Sequence, residues 1–515
     1  MARDKGGFSP LRAYFWPIHA HELRKFLPLL AMAFFIGFNY NILRNMKDAL
    51  LVTAEHSGAE VLPFIKVWGI VPGALLLTFI YSRLNNRMKR DHVFLVMVLI
   101  FLGFFALFTF CIYPLQHILH PHQTADYLQS HLPPGFKGLI AMFRYWTFSS
   151  FYIMSELWSS TVLSMLFWGF ANEVTRLPEA KRFYGLIAIG LNVAAITSGQ
   201  VSYFLCSPAL RHQISFTENP WHQSVILLTV VVLISGAAIL GIFRYMTHEV
   251  LSQGEHASHS GHRKEKIKMS MRENFAILGR SKYLLSIAII VLAYNLVINL
   301  VEVIWKDQVR QLYPDPNNFN GYMSQITTIT GIISFFTSLL ISGQLIRKFG
   351  WTVGALITPV ILLVSCFAFF FFFFGHEKMA GALAMLGTSP LALVVFFGSM
   401  QNCISRASKF TLFDSTKEMA FIPLSIEDKL KGKAAIDGVG SRLGKSGGSL
   451  IHQSLLVIFS SIAASAHIVA GLLFLAIFFW IGAALSLGKQ FNALPTTAGH
   501  PQPESKVAPE LAPTR

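Results

Sequence analysis

Gly432-Lys433-Ala434-Ala435-Ile436-Asp437-Gly438-Val439-Gly440-Ser441-Arg442-Leu443-Gly444-Lys445-Ser446-Gly447-Gly448-Ser449 opens an otherwise apolar run that continues to Phe459. The run is long enough to cross a bilayer as a helix, which takes about 20 residues. Yet it carries Asp437, Arg442 and Lys445. A charge at membrane depth is costly and therefore faces a partner or a wet cavity. Arg442 and Lys445 share a helix face, and Ser449 and His452 continue it. The glycines allow another helix, or a ligand, to approach the backbone closely. Gly444-Lys445-Ser446 has the ending of a phosphate-binding P-loop, but that motif needs a glycine where Val439 stands and a strand before it. The fitting reading is a positively charged, ligand-facing stripe on a membrane helix. The alternative is a structural ion pair with an acidic residue on another helix.

Composition agrees with a membrane protein. The chain has 515 residues, 53% hydrophobic and 13% charged, with 46 phenylalanines. Soluble proteins carry about 25% charged residues. The net charge of +16 would suggest nucleic acid in a soluble protein, but the positive-inside bias accounts for most of it here. Cys111, Cys206, Cys366 and Cys403 lie in or beside apolar segments, with neither metal nor disulfide spacing. No metal or cofactor is expected. Residues 1–25 are basic and mixed and do not read as a cleavable signal, and no Ser-rich, Arg-rich transit extension is evident.

The fold expected is all-α and polytopic, with twelve transmembrane helices in two six-helix repeats and a major facilitator-like architecture. Among the twelve apolar runs are 26–45, 140–170, 283–304, 390–413 and 433–460. They divide the chain into a cytoplasmic segment 1–25, an N-terminal half 26–246, a cytoplasmic linker 247–282, a C-terminal half 283–487 and a disordered cytoplasmic tail 488–515. The linker's His256, His259 and His262 sit among Ser and Gly and read as flexible linker, not as a metal site. Both termini are expected inside, because most of the 42 Lys and Arg residues then fall on the cytoplasmic side. Lys47 and Lys306 fall in outer loops in this scheme. Arg44, Lys66, Arg144, Arg406, Arg442 and Lys445 lie within spans, against Glu156, Glu302 and Asp437. That positive surplus points to an anionic substrate.

The halves echo each other. Lys47-Asp48 follows the first span as Lys306-Asp307 follows the seventh. Ile80-Tyr81-Ser82-Arg83-Leu84 ends the second as Ile341-Ser342-Gly343-Gln344-Leu345 ends the eighth. Gly185-Leu186-Ile187-Ala188-Ile189-Gly190 in the fifth matches Gly432-Lys433-Ala434-Ala435-Ile436-Asp437 at the eleventh. Three matches in one order imply a repeat, the architecture of transporters with a site between their halves. Gly343–Gly350 also resembles the loop signature of the major facilitator superfamily.

Polar residues recur at helical spacing on the apolar helices. Asn295, Asn299, Glu302 and Lys306 share one face, as do Asn41, Arg44 and Asp48 with Lys47 beside them. Tyr152, Glu156 and Ser160 line up with Arg144 toward the outer end, and Asn402, Arg406 and Lys409 form a similar face. Against a binding role stands simple interhelical pairing, or snorkelling of Lys47, Lys306 and Lys66 to a surface. The run Phe369–Phe374 reads as lipid-facing. A phosphate-rich anion suits the basic stripes, since Arg offers a planar fork and Lys a point charge. Asn amides and aromatic rings suit a base. Spacing and composition reach a secondary transporter for organic anions.

Arg44-Asn45-Met46-Lys47-Asp48-Ala49-Leu50-Leu51-Val52-Thr53, then Ser57–Lys66, then Phe167-Trp168-Gly169-Phe170-Ala171-Asn172-Glu173-Val174-Thr175 resemble the nucleotide transporter (ATP/ADP translocase) family of plastids and obligate intracellular bacteria such as chlamydiae. The resemblance covers nearly all of residues 20–490. It implies exchange of external ATP for internal ADP, often with phosphate, driven by gradients and not by hydrolysis. It further implies transport-essential charges at Lys47, Glu156, Glu302 and Lys445. Some members instead import several nucleotides with protons, and Ala49 stands where many exchangers have threonine. The binding set expected is Arg44, Lys47, Lys66, Arg144, Glu156, Asn295, Asn299, Glu302, Arg406, Arg442 and Lys445. The partners expected are ATP, ADP, phosphate and membrane lipids, without nucleic acid, for a monomer in a bacterial inner membrane. A sugar-phosphate transporter would lack these motifs, an ATP-driven pump would need a hydrolysis domain, and a scaffold would not need basic residues at membrane depth.

Overall fold

The computed structural model describes residues 16–250, 281–340, 342–375, 387–425 and 441–493, with a few isolated positions besides; at several helical positions, Arg442 and Lys445 among them, it describes the backbone alone. Asp437, the linker histidines and the tail from 494 lie outside the described residues.

Helices form every regular element among the described residues. The N-terminal half contains α1 (Leu23–Val52), α2 (Val61–Arg87), α3 (Arg90–Ile112), the short α4 (His122–His131) and α5 (Lys137–Arg144), α6 (146–174), α7 (Leu177–Leu205) and α8 (Pro220–Tyr245). The C-terminal half contains α9 (Lys282–Leu312), α10 (Pro316–Leu340), α11 (Ser342–Gly375), α12 (390–420), α13 (Ser441–Phe459) and α14 (Ile462–Ala493). Setting α4 and α5 aside, six long helices stand in each half. Among the described residues, eight helices are long and apolar enough to span a bilayer by length and composition alone. The core stretches of α6, α10, α12 and α13 are diluted by Ser, Thr, Asn and charged residues. Such side chains are tolerated at membrane depth where they face protein or a wet cavity.

Each half is built around its first helix. In the N-terminal half, Trp158 of α6 donates to the Ile36 carbonyl of α1 at 3.1 Å, and Asn39 of α1 donates to the Val232 carbonyl of α8 at 3.0 Å. In the C-terminal half, Trp305 of α9 donates to Ser399 of α12 at 3.0 Å, and Tyr294 stacks on Phe413 with Trp480 edge-on to both where α9, α12 and α14 meet. A hydrogen bond made in the apolar interior spares both partners a desolvation cost.

Several boundaries differ from expectation. Lys47 and Lys306 do not stand in outer loops: α1 and α9 continue more than a turn beyond them, and both side chains are 2% exposed. The reason is that the polar faces Asn41–Arg44–Asp48 and Asn295–Asn299–Glu302–Lys306 stay in helical register and find partners inside the protein. The fourth span does not start at 140, because Tyr145 (φ −107, ψ 48) separates α5 from α6. The last helix runs past 487 to Ala493. The aromatic run is two-sided: Phe369, Phe370 and Phe373 are buried, while Phe371 and Phe374 are exposed. A helix turns successive residues to different faces, so a run of one residue type cannot all face lipid.

Links between the halves gather at the end opposite the termini. Asn45 donates to Thr327 at 3.1 Å, Gln200 to Thr328 at 3.0 Å and Ser224 to Asn317 at 2.6 Å. At Gly199 of α7 a Cβ would lie 2.3 Å from Thr328 Oγ1 and 2.6 Å from the Ser324 carbonyl of α10, so only glycine allows this approach. The other ends of α6 (Trp168–Val174) and α12 (Asp414–Ala420) pack within their own halves. Among the described residues, these hydrogen bonds between the halves therefore join them at the end away from the termini.

Candidate nucleotide site between the halves

The expected stripes on α1, α6, α9 and α12, with Lys66 of α2, converge on one charged cluster. Asp48 of α1 is its centre. Its Oδ1 lies 3.2 Å from Lys47 Nζ and its Oδ2 lies 2.8 Å from Lys306 Nζ of α9. Lys47 also meets Glu156 of α6 at 3.4 Å, and its ammonium sits 3.6 Å from the centroid of the Tyr152 ring. Lys306 reaches Glu302 one turn back at 2.8 Å. Glu302 in turn accepts from Lys66 of α2 at 2.8 Å and lies 4.0 Å from Arg406 of α12. Lys66 donates as well to Asn299 at 2.9 Å. Arg44 bonds Thr327 at 3.3 Å, lies 6.0 Å from the Tyr40 ring, and stands within electrostatic reach of Arg406.

The cluster has two layers. Lys47, Asp48 and Lys306 are sealed in protein, at no more than 2% exposure. In front of them Glu302 (16%), Lys66 (16%), Arg406 (22%) and Glu156 (36%) retain access to the central space. Buried charges of this kind persist only when paired, and removing one partner of such a pair typically costs about 3–5 kcal/mol. Counting the named groups, Arg44, Lys47, Lys66, Lys306 and Arg406 oppose Asp48, Glu156 and Glu302. The site is net positive before Arg442 and Lys445 are considered. Arg44 and Arg406 are the cations with the least carboxylate around them, so they are best placed to take an anion.

Two glycines of the Gly432–Ser449 stretch have a visible purpose. A Cβ at Gly444 of α13 would lie 2.9 Å from Asn295 Cβ, and one at Gly448 would lie 3.2 Å from Asn299 Cβ. They bring α13 against the polar face of α9, and they stand beside Arg442 and Lys445 on its first turns. The side chains of Arg442 and Lys445 themselves lie outside the described residues. Asn295 donates to the Val291 carbonyl at 2.8 Å and Asn299 to the Asn295 carbonyl at 2.9 Å, so their amide hydrogens serve α9 itself.

Arg144 is not part of this cluster. It ends α5, where it donates to Asp126 at 2.6 Å and Gln129 at 3.1 Å and so ties α4 to the bundle. The break at Tyr145 turns α5 away from the axis of α6, which separates Arg144 from Tyr152 and Glu156. Asp48 and Lys306, conversely, belong to the cluster although neither stands in the expected binding set. The signal was present: each continues a polar stripe at the correct helical step, and each lies in the Lys-Asp pair that both halves carry.

A family model for the TLC ATP/ADP transporter matches residues 1–491. The chain is 49% identical to "ADP,ATP carrier protein 2" of Chlamydia pneumoniae, over 98% of this chain and 96% of that one. It is 42% identical to the "Plastidic ATP/ADP-transporter" of Solanum tuberosum, over 93% of this chain and 75% of that one. Among solved structures, that of a D-xylose-proton symporter aligns with a TM-score of 0.53 at 13% identity, over 91% of this chain and 98% of that chain. This likeness shows a shared fold and nothing about substrate. Taken with the charged cluster between two six-helix halves, these matches mean that the chain belongs to the TLC ATP/ADP transporter family.

Proposed function

We infer that this protein is a secondary transporter that exchanges ATP for ADP across a membrane by alternating access, and that the two-layered charge cluster is its nucleotide site. The carrying observation is a net-positive cluster at the junction of the two halves. A nucleotide entering between the halves meets Arg44 and Arg406 first. Guanidinium forks suit phosphate oxygens, and charge-assisted bonds of this kind are worth about 1.5–3 kcal/mol each. Lys66 and Arg406 both lean on Glu302, so phosphate oxygens compete with that carboxylate for them. Winning Lys66 from Glu302 breaks an ion pair that joins α2 to α9, and so joins the halves. The Lys66–Glu302 and Lys306–Asp48 pairs both join the halves. Crossing to the other state without cargo would break them uncompensated. That penalty is the physical basis of obligate exchange.

The same reading covers what accompanies the exchange. Binding and release of charge drive the cycle, without hydrolysis of the nucleotide. Lys47, Glu156, Arg442 and Lys445 complete the site, the last two from the first turns of α13. The site is complete within one chain, which suits a monomer. The Lys and Arg bias favours cytoplasmic termini, and kinship with chlamydial carriers favours a bacterial inner membrane. The test is uptake of labelled ATP into liposomes that are empty, ADP-loaded or ATP-loaded, at equal pH on both sides. Strong stimulation by internal ADP, indifferent to a protonophore, is expected. Equal uptake into empty liposomes that a protonophore abolishes would overturn exchange in favour of proton-coupled import. Release of free phosphate in step with uptake would contradict transport without hydrolysis.

A further inference from the structure

Behind the site lies a second cavity that the transport cycle described above does not use. It is a lateral crevice of about 520 Å³ near the outer end of the N-terminal half, walled by α2, α4, α5 and α6. Its volume falls within the range of ligand pockets, about 300–1,000 Å³. Trp68, Leu128, Leu139, Phe143, Trp146 and Ile153 supply most of its wall. It offers a ligand almost nothing polar. The hydroxyls of Ser149 and Ser150 are spent on the carbonyls of Met142 and Trp146, at 2.9 and 2.8 Å. No charged residue lines it. A nucleotide, an anion or a peptide terminus has no partner there.

The crevice continues the lipid-facing surface. Trp68, Phe143 and Trp146 at its rim are all more than a third exposed, and Leu75, Leu76 and Phe79 extend the same apolar strip down α2. The rim lies near the outer helix ends, where tryptophan favours the level of lipid headgroups. Trp146 also donates to the Leu119 carbonyl at 2.8 Å, which fixes one post of the opening. We propose that this crevice holds an acyl chain of a phospholipid from the surrounding bilayer, and that the chain braces the segment of α2 that carries Lys66.

The brace follows from local geometry. Trp68 and Gly69 on the crevice wall belong to the π-helical turn Ile65–Ile70 within α2, a rare type of turn that occurs mostly at functional sites. Lys66 leaves this turn toward Asn299 and Glu302, while Trp68 and Gly69 leave it toward the crevice. A Cβ at Gly69 would lie 2.7 Å from Ile153 Cδ1, so the turn rests directly on α6, next to Tyr152 and within a turn of Glu156. An acyl chain wedged between α4, α5 and this turn holds it against α6.

The test uses the full-length protein in vesicles containing a phospholipid with a photoactivatable acyl chain, with the attachment sites mapped by mass spectrometry. Labelling concentrated on Leu128, Leu139, Phe143 and Trp146 is expected. Ser150→Phe fills the crevice and should cut that labelling at least fivefold, whereas Leu75→Phe on the open lipid face should not. Leu132→Trp at the rim serves the same purpose should Ser150→Phe fail to fold. ATP/ADP exchange by wild type should change severalfold between short- and long-chain phospholipids, and the filled variants should lose that dependence. Labelling spread evenly over the apolar belt, or cross-links to a second copy of the chain at these residues, would overturn the site. Crevice labelling with the same chain-length dependence in wild type and filled variants would overturn the brace.

Discussion

The two halves carry the same Lys-Asp pair at the same depth. Lys47 and Lys306 each lie 24 residues after the first residue of their helix (47 − 23 and 306 − 282). Their aspartates nevertheless have opposite fates. Asp48 sits between Lys47 and Lys306 and compensates both. Among the described residues Asp307 meets no lysine; its Oδ2 accepts from Gln311 at 2.8 Å and Gln308 at 3.3 Å. A fully symmetric arrangement would give each lysine its own aspartate and leave the cluster close to neutral. Sharing one aspartate between two lysines keeps the cluster positive while burying its deepest charges in pairs. Asymmetry within the repeat is what turns a paired structural core into an anion site.

The largest expected effect comes from Asp48→Asn. Two buried ammonium groups then lose their common partner, at a cost of about 3–5 kcal/mol. The thermal midpoint in detergent should fall sharply, and exchange should cease even in protein that remains folded. Near-normal exchange would show that Asp48 is not the shared counter-ion. Smaller, and confined to binding, is the expected effect of Arg44→Ala or Arg406→Ala. Loss of one charge-assisted phosphate contact predicts a drop in ATP affinity of about tenfold to a hundredfold, with stability little changed. Titration calorimetry on the detergent-solubilised protein would detect it, and unchanged affinity in both variants would remove the guanidinium pair from the phosphate site.

Glu302→Gln acts in the other direction. The cavity gains a positive charge and Lys66 is freed, so ATP should bind more tightly while counter-exchange slows about tenfold, as 1.4 kcal/mol of extra binding would dictate. A changed response of uptake to pH or to a protonophore in this variant would point instead to a transported proton on Glu302. The smallest effect should be that of Asp307→Asn. Its amide oxygen can keep the Gln311 bond, so stability should change by less than about 1 kcal/mol and exchange should stay near wild type. A collapse like that of Asp48→Asn would erase the distinction between the two aspartates.

Residues read singly were less informative than residues read in register. Arg144 and Arg406 look alike in sequence, each a basic residue in an apolar stretch. Only the non-helical Tyr145 separates them, by turning Arg144 outward to Asp126. No periodicity announces such a break, because Arg144-Tyr145-Trp146 has no proline or glycine. Lys306, by contrast, was legible as the next step of the stripe Asn295–Asn299–Glu302. Its assignment to a loop followed from ending the helix where the apolar run ended, and helices do not end there when polar side chains find partners inside.

By itself the sequence determined the membrane class, the six-plus-six repeat, the kinship and the sign of the charge at the site. These depend on composition, hydropathy and local spacing, which survive in a linear chain. Tertiary structure alone decided which charges meet. Whether Asp48 pairs with Lys47, Lys306 or both depends on how α1 and α9 rotate against each other. That rotation is set by close packing such as Gly199 on Thr328 and Gly444 on Asn295. An ion pair between residues 258 positions apart (306 − 48) has no local signature, because its energy comes from the dry interface that the fold creates around it.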